Sequence, residues 1–345
     1  MTDYRKILIF KPGAIGDMLH LTPVIRAIMV RYPSSEITLI LSSPITASLF
    51  MANPLVKRII IFDKRGAHRS PAAMYRLWRE LKCESYDLIL NFQRSNLKGW
   101  LLLTAAMPSR VLVYHKAKGR LIHAVVNHLE TLTPLGIIPD DVSHHLDFPV
   151  GPDANEYAES FFIRHGLINV PVVAFNPGTS TPVRCWPTDR FIQLGDRLIS
   201  AGIAVVIVGS PAERTLAEEI ATRMVHRPVV ETDSTLPQLA ALLKRCRVLV
   251  TGVTGPMHIG SAVGARVIGL FGSLNPLRDG PIGVNHVSIR NISLPCVPCN
   301  SLKKCSHTVY RECMNTITVI DVFNAIIAVL DDESQKQIRG EIATI

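Results

Sequence analysis

The sequence predicts an α/β protein with two Rossmann-like parallel-sheet domains facing each other across a cleft. Three observations lead there. Short runs of β-branched and apolar residues alternate with longer helical patterns along almost all of the 345 residues. These runs are continuously apolar and not alternating, as expected of parallel strands covered by helices on both faces. The length is enough for two cores, and Pro, Gly and Asp cluster in "DFPVGPDANEYAESF", a boundary near residue 150 that leads into a helix.

Taken in order, the first half offers strands at "KILIFK", "EITLILSS", "VKRIIIFD", "YDLILNF" and "SRVLVYH", with helices notably over 17–32 and 71–83. The second half offers strands at "VPVVAFNPG", "IAVVIVGS", "RVLVTG", "RVIGLFG" and "HVSIRN", with helices near 188–201, 211–224, 235–245 and 256–263. An apolar stripe over 317–330 predicts a further helix, and the last fifteen residues are polar and expected to fray. The division is therefore 1–150, 151–320 and a closing helix and tail over 321–345. In open α/β sheets ligands bind beyond the carboxyl ends of the strands, so the chemistry is expected in the loops that follow them.

Composition narrows the class. Hydrophobic residues make up 48% and charged residues 19%, a globular balance. The N-terminal MTDYRKILIF lacks the apolar core of an export signal, and runs such as "GWLLLTAAM" reach about half of the roughly 20 residues that a membrane span needs. A cytoplasmic protein is the expectation. The net charge of +9 is uneven: residues 1–150 carry 19 Lys and Arg against 11 Asp and Glu, whereas the rest carry 18 against 17. Such a field suits an anionic partner or is simply a solvated basic surface. Nucleic acid is not expected, because the cations are scattered and lack interleaved aromatics or a binding motif.

Three loops stand out. In "KPGAIGDMLHLTP", Gly13 and Gly16 permit a sharp turn and close approach of a ligand, and Asp17 falls at a helix start. Spacing leaves Asp17 either a plain helix cap or an ionised carboxylate able to take a proton. In "FNPGTSTPVRCWPTDRF", the hydroxyls of Thr179, Ser180 and Thr181 with the cation of Arg184 suit a phosphate or diphosphate, or form an ordinary polar loop. In "VLVTGVTGPMHIGSAVGARVIGLFGSLNP", Thr254, Gly255, Pro256 and Met257 open a helix whose N-terminus can receive an anion. His258, just inside that helix, is by itself as much a packed or capping histidine as a chemical group.

Together these stretches resemble the ADP-heptose:lipopolysaccharide heptosyltransferases of glycosyltransferase family 9. The matching pieces are "GAIGDMLHLTPVIRAI", "NPGTSTPVRCWP", "LPQLAALLKRC", "TGPMHIGSAVGARVIGLFGSLNP" and "RDGPIG", joined by the cysteine-rich "PCVPCNSLKKCSHTVYRECM", over residues 6–330 or so. The resemblance implies a GT-B fold, with acceptor bound by the first domain and donor by the second. It implies inverting transfer of a heptose from ADP-heptose to an inner-core sugar of lipopolysaccharide, with no metal required for catalysis. Asp17 then corresponds to the base on the acceptor hydroxyl. Arg184 corresponds to the cation on the donor diphosphate, and Thr254, Gly255, Met257 and His258 to the helix start that cradles it. The basic first half acquires an anionic lipopolysaccharide-core acceptor, with peripheral contact at the inner membrane. One departure stands out: relatives commonly carry Asp-Ser-Gly or Asp-Thr-Gly before "PMH", where this chain has Val253-Thr254-Gly255. A transferase for another nucleotide sugar, or a nucleotide-sugar-binding protein without turnover, are the alternatives.

The last feature is a cysteine cluster, Cys296, Cys299, Cys305 and Cys313, in the pattern C-x2-C-x5-C-x7-C. Four thiolates would fill a tetrahedral shell, so the expectation is a structural zinc or iron, with reduced thiols and then disulfides as the competing states.

Overall fold

The computed structural model describes residues 3–107, 109–283, 286–299, 305 and 307–342, with the backbone alone beyond residue 331. The chain divides into two compact units, Met1–Pro149 and Val150–Ile345.

The first unit holds a five-stranded sheet: β1 Lys6–Phe10, β2 Glu36–Leu41, β3 Arg58–Ile61, β4 Leu88–Asn91 and β5 Arg110–Val113. Every pair is parallel, in the order β3-β2-β1-β4-β5. Continuous apolarity has the expected consequence: Ile7, Leu8, Ile9 and Phe10 of β1 are all fully buried. The helix Pro71–Lys82 buries Ala73, Met74, Leu77 and Leu81. These fall at three- and four-residue spacing, so a single stripe meets the sheet. Ser70 starts the helix by accepting from Ala73 N, with Pro71 at a position where its missing N–H costs nothing.

The second unit holds six parallel strands: β6 Val172–Asn176, β7 Ala204–Val208, β8 Val229–Glu231, β9 Val248–Gly252, β10 Arg266–Phe271 and β11 Val287–Arg290. Their order is β11-β10-β9-β6-β7-β8. The C-terminal helix, Val319–Ile342, sends Val322, Ile326 and Val329 into this unit's core beside Phe191, Leu194 and Leu198. Arg197 lies over the Phe323 ring at 4.4 Å. Its backbone stays helical through Ile342 and does not stop near residue 330, so the polar tail prolongs the helix up to the end of the described residues.

Three differences from the sequence reading have clear causes. The helix expected over 17–32 is two, Ile15–Leu19 and Thr22–Arg31. In one continuous helix the Pro23 ring would clash with the Leu19 carbonyl, which instead accepts from the Thr22 hydroxyl at 2.8 Å. Strand β8 went unread because it spans three half-buried residues at the sheet edge. Helices Leu97–Leu103 and Ala124–Leu129 are too short for their periodicity to stand out.

Candidate active site

Each sheet reverses its strand order once. In the first, β1 leads to β2 on one side while β4 pairs on the other; in the second, β6 leads to β7 while β9 pairs on the other. Loops diverge from the carboxyl ends of such a pair and leave a crevice there. The candidate residues fall at both switch points.

In the first unit the loop after β1 leads into helix Ile15–Leu19. Its cap is Ala14, which makes no side-chain capping bond, so Asp17 is the third helical residue and not the cap. The side chain is exposed and no protein hydrogen bond to it is found among the described residues. It lies across Gly13: a Cβ there would stand 3.3 Å from Asp17 Cβ and 3.6 Å from Asp17 Oδ2. Gly13 and Gly16 are both absent from the glycines with positive φ. Gly13 is therefore required for room and not for backbone freedom, and Gly16 is a buried residue of the helix itself.

Behind Asp17 lies a group that the sequence reading passed over. Lys11, at the carboxyl end of β1, is only 6% exposed, and its Nζ stands 2.9 Å from His128 Nε2. His128 Nδ1 lies 2.6 Å from the Ala124 carbonyl, which makes Nδ1 the protonated nitrogen and Nε2 the acceptor for the ammonium. Burial, and then the Lys11 charge, hold the imidazole down at about 3, so it is neutral. Phe92 and Tyr114 stack on His128 with centroids 5.3 and 4.8 Å away, and both rings face Lys11 Nζ, at 5.8 and 5.5 Å. Burial lowers Lys11 from the ordinary lysine range, and the Asp17 charge opposes that shift. The base candidate is thus coupled to a buried cation. The only sequence signal is a lysine directly after an apolar strand.

Phe92 and Tyr114 also line a cavity of about 790 Å³ beyond β4 and β5, with Arg94, His115, Lys116 and Lys118. Sequence charge counts located the excess of cations in this half; the ends of β4 and β5 concentrate three of these side chains, Arg94, Lys116 and Lys118, on one cavity.

In the second unit the switch point is closed by hydrogen bonds. Asn176, ending β6, accepts through Oδ1 from Thr251 Oγ1 at 3.1 Å and from Thr254 Oγ1 at 3.0 Å, while its Nδ2 donates to the Val208 carbonyl at 3.2 Å. Thr254 is the cap residue of helix Gly255–Ala262, yet its hydroxyl makes no capping bond. It is turned back to Asn176, so the backbone N–H groups of the first turn, at Gly255 and beyond, are left without side-chain caps and carry the positive end of the helix dipole. Thr179 Oγ1 accepts from Thr181 N at 3.1 Å and donates to the Thr181 carbonyl at 2.7 Å, curling the loop after β6. That loop packs close against β9 at Gly252: a Cβ there would stand 3.3 Å from Thr179 Cγ2 and 3.5 Å from the Arg184 carbonyl. Arg184 is half-buried, and its Nε donates to Ser273 Oγ beyond β10 at 3.3 Å. Burial lowers this guanidinium from its ordinary value, with Asp279 and Cys299 opposing. Ser180 is exposed on the loop.

Two expected residues are placed differently. Met257 is fully buried and His258 is 7% exposed, so their side chains pack inward and only the backbone at this helix start is available to a ligand. Asn176, Thr251 and Ser273, which the sequence reading did not single out, do the joining. Their shared signal is a polar residue at or just after the end of an apolar strand.

The structure gives no support to the expected metal centre. All seven are free thiols, and among the described residues no three His, Cys, Asp or Glu side chains are gathered as a metal-holding group. Burial raises the Cys313 thiol, helped by Cys305, Cys299 and Cys296, so the four are neighbours. Cys299 is exposed and Cys305 Sγ accepts from Arg311 N at 3.4 Å. As arranged, the set does not fit a tetrahedral ion, and no chemistry is assigned to one.

Comparison with known proteins bears on the family and the fold. Residues 74–309 match the family model for glycosyltransferase family 9 (heptosyltransferase). The chain is 27% identical over 282 residues to lipopolysaccharide heptosyltransferase 3 of Escherichia coli, covering 75% of this chain and 81% of the relative. The glycosyl transferase family 9 structure from Veillonella parvula superposes with a TM-score of 0.84 at 23% identity, covering 96% of this chain and 99% of that one. The ADP-heptose lipopolysaccharide heptosyltransferase II of E. coli superposes with a TM-score of 0.77 at 21% identity, covering 95% and 99%.

Proposed function

The chain belongs to glycosyltransferase family 9, and from that premise we propose that it moves a heptose, with inversion, from ADP-heptose to an inner-core sugar of lipopolysaccharide. One observation carries the reading. Each sheet places a polar set at its own switch point: an exposed carboxylate backed by a buried cation in the first unit, and hydroxyls, a guanidinium and a helix start in the second.

In this reading the first unit holds the acceptor. Arg94, His115, Lys116 and Lys118 offer charge-assisted bonds to its carboxylates and phosphates. Asp17 accepts the proton of the attacking hydroxyl as its oxygen bonds to C1 of the donor sugar. The second unit holds ADP-heptose. As the bond from C1 to the phosphate oxygen breaks, negative charge gathers on the departing ADP. Arg184, the exposed Ser180 hydroxyl and the N–H groups at Gly255 are donors for that charge, and Thr179 shapes the loop that carries them. The sugar passes through an oxocarbenium-like state, the attack on one face and the departure from the other giving inversion. Lys11 keeps positive charge near Asp17. The protein would work on the cytoplasmic side, peripheral to the inner membrane.

The test is to incubate the protein with ADP-heptose and a lipid-free inner-core acceptor, following ADP release and the anomeric configuration of the product. Inverted product supports the reading; retained configuration overturns it. Val253, half-buried beside Thr254, favours one second reading, a different donor sugar, because a carboxylate common in relatives is replaced by an apolar side chain. Thermal shifts across nucleotide sugars separate the two. A larger stabilisation by another sugar nucleotide selects the alternative donor. Stabilisation by ADP-heptose without transfer or hydrolysis would make the chain a binding protein.

A further inference from the structure

The helices Pro71–Lys82 and Leu97–Leu103 form a face of the first unit that the transfer chemistry does not use. An apolar groove of about 400 Å³ runs there, lined by Met74, Tyr75, Trp78 and Leu101 together with Arg69 and Lys98. Large apolar side chains stand out on the same two helices: Leu97 is 82% exposed, and Leu101 and Tyr75 are each 60% exposed. The aromatic pair is fixed. Tyr75 and Trp78 stack with centroids 6.2 Å apart and planes 9° apart, and Trp78 Nε1 donates to Thr104 Oγ1 at 3.0 Å. Lys82 Nζ lies 4.8 Å from the Trp78 ring centroid.

The charge around this face is of one sign. Residues 64–82 carry Lys64, Arg65, Arg69, Arg76, Arg79 and Lys82 against a single acid, Glu80. Glu80 is already paired with Arg58. None of the six cations forms an ion pair among the described residues, and all are exposed. Leu97–Leu103 adds Lys98 and no acid.

We infer that this face docks the protein on an anionic phospholipid surface. Exposed leucines and ring faces enter the boundary between headgroups and acyl chains, where aromatic rings with a polar edge settle. The surrounding cations meet the negative headgroups, and long Lys and Arg side chains keep their charge at that level while their stems cover apolar surface. A second copy of the chain is disfavoured, because it would set six cations against six. The segment is also continuous with the basic cavity: residues 92–95 line that cavity, and Lys98, Leu101 and Leu102 line the groove. A face on the bilayer thus keeps the cavity near a lipid-anchored glycan. This last point alone rests on the proposed acceptor; the docking is argued from the face itself.

The experiment is co-sedimentation of the full chain with vesicles of phosphatidylcholine alone and of phosphatidylcholine mixed with phosphatidylglycerol. Binding to the mixed vesicles is expected to be at least about tenfold tighter and to weaken as salt rises. The pair Leu97→Ser with Leu101→Ser and, separately, the pair Arg76→Glu with Lys82→Glu each reduce it by about tenfold. All four positions are exposed, and transfer to the lipid-free acceptor stays at the unsubstituted level. Vesicle binding without transfer would sink the proposed reaction and leave the docking intact. Equal affinity for both vesicles, or binding that survives both pairs, overturns the docking. So does self-association in sedimentation velocity that Leu97→Ser abolishes.

Discussion

The Lys11 ammonium stands 2.9 Å from Nε2 of His128, inside a box closed by the rings of Phe92 and Tyr114. A buried cation normally costs several kcal/mol unless it is paired. Here a neutral imidazole supplies a lone pair, two ring faces supply their quadrupoles, and Asp17 supplies the opposite charge. The box therefore works only while His128 is neutral.

That condition predicts a pH dependence of stability. The His128 imidazole sits at about 3 in the folded protein, below the ordinary 6.5. As pH falls below 6.5, the unfolded chain binds a proton that the folded chain refuses until about pH 3. Stability is thus full above 6.5 and declines through this window, by up to about 1.4 kcal/mol per pH unit from this group. Urea melts between pH 7 and 4 measure the slope. His128→Gln, which cannot titrate, should be less stable at pH 7 yet show a flatter decline; an unchanged slope rejects the assignment.

Asp17→Asn keeps the shape of the loop and removes the proton acceptor. Transfer should fall by about 10²–10⁴ while the affinity for ADP is unchanged, measured by product formation and calorimetry. Gly13→Ala probes the same carboxylate from outside. The new methyl meets the flexible Met18 Cε at 2.9 Å and Asp17 Cβ at 3.3 Å. The melting temperature should move by only about a few degrees, whereas turnover drops about tenfold or more because the carboxylate is displaced.

Arg184→Ala removes the half-buried cation at the second switch point. Loss of charge-assisted bonds worth about 1.5–3 kcal/mol predicts ADP binding weaker by about 10- to 100-fold. Arg184→Lys restores charge without the planar fork and should recover only part of it. Equal ADP affinity in all three proteins would remove Arg184 from the donor site.

The Asn176 network predicts non-additive stability losses. Thr254→Val removes one hydroxyl and should cost about 1 kcal/mol. Asn176→Ala removes the acceptor shared by the Thr251 and Thr254 hydroxyls and the donor to the Val208 carbonyl, three bonds in place of one, so it costs more even though Thr251 keeps its bond to the Gly252 carbonyl. The double substitution should cost less than the two single losses combined, since both remove one shared bond. Strict additivity in urea melts would mean that the two residues act independently.

How much of this was legible beforehand depends on the range of the interaction. Continuous apolar runs with helical stripes between them announced ten of the eleven strands, because burial on both faces is written locally in residue type. The loops holding Asp17, Arg184 and Thr254 were legible for the same reason: glycine, proline and hydroxyl residues punctuate the ends of strands. The residues that join those loops were not. Asn176 meets Thr251 across 75 positions and Lys11 meets His128 across 117. Spacing along the chain carries no record of such pairs.

The sequence by itself determined the two parallel sheets, the basic first half and the loops that bear the chemistry. Tertiary structure decided three things. Asp17 is the third helical residue, because Ala14 takes the cap position. Met257 and His258 turn inward, because the helix start offers its backbone and not those side chains. Among the described residues the cysteines are neighbours but no metal-holding group is gathered, although their spacing allowed a metal shell. Each outcome depends on which direction a side chain points once its element is packed. That direction is fixed by neighbours brought from elsewhere in the chain.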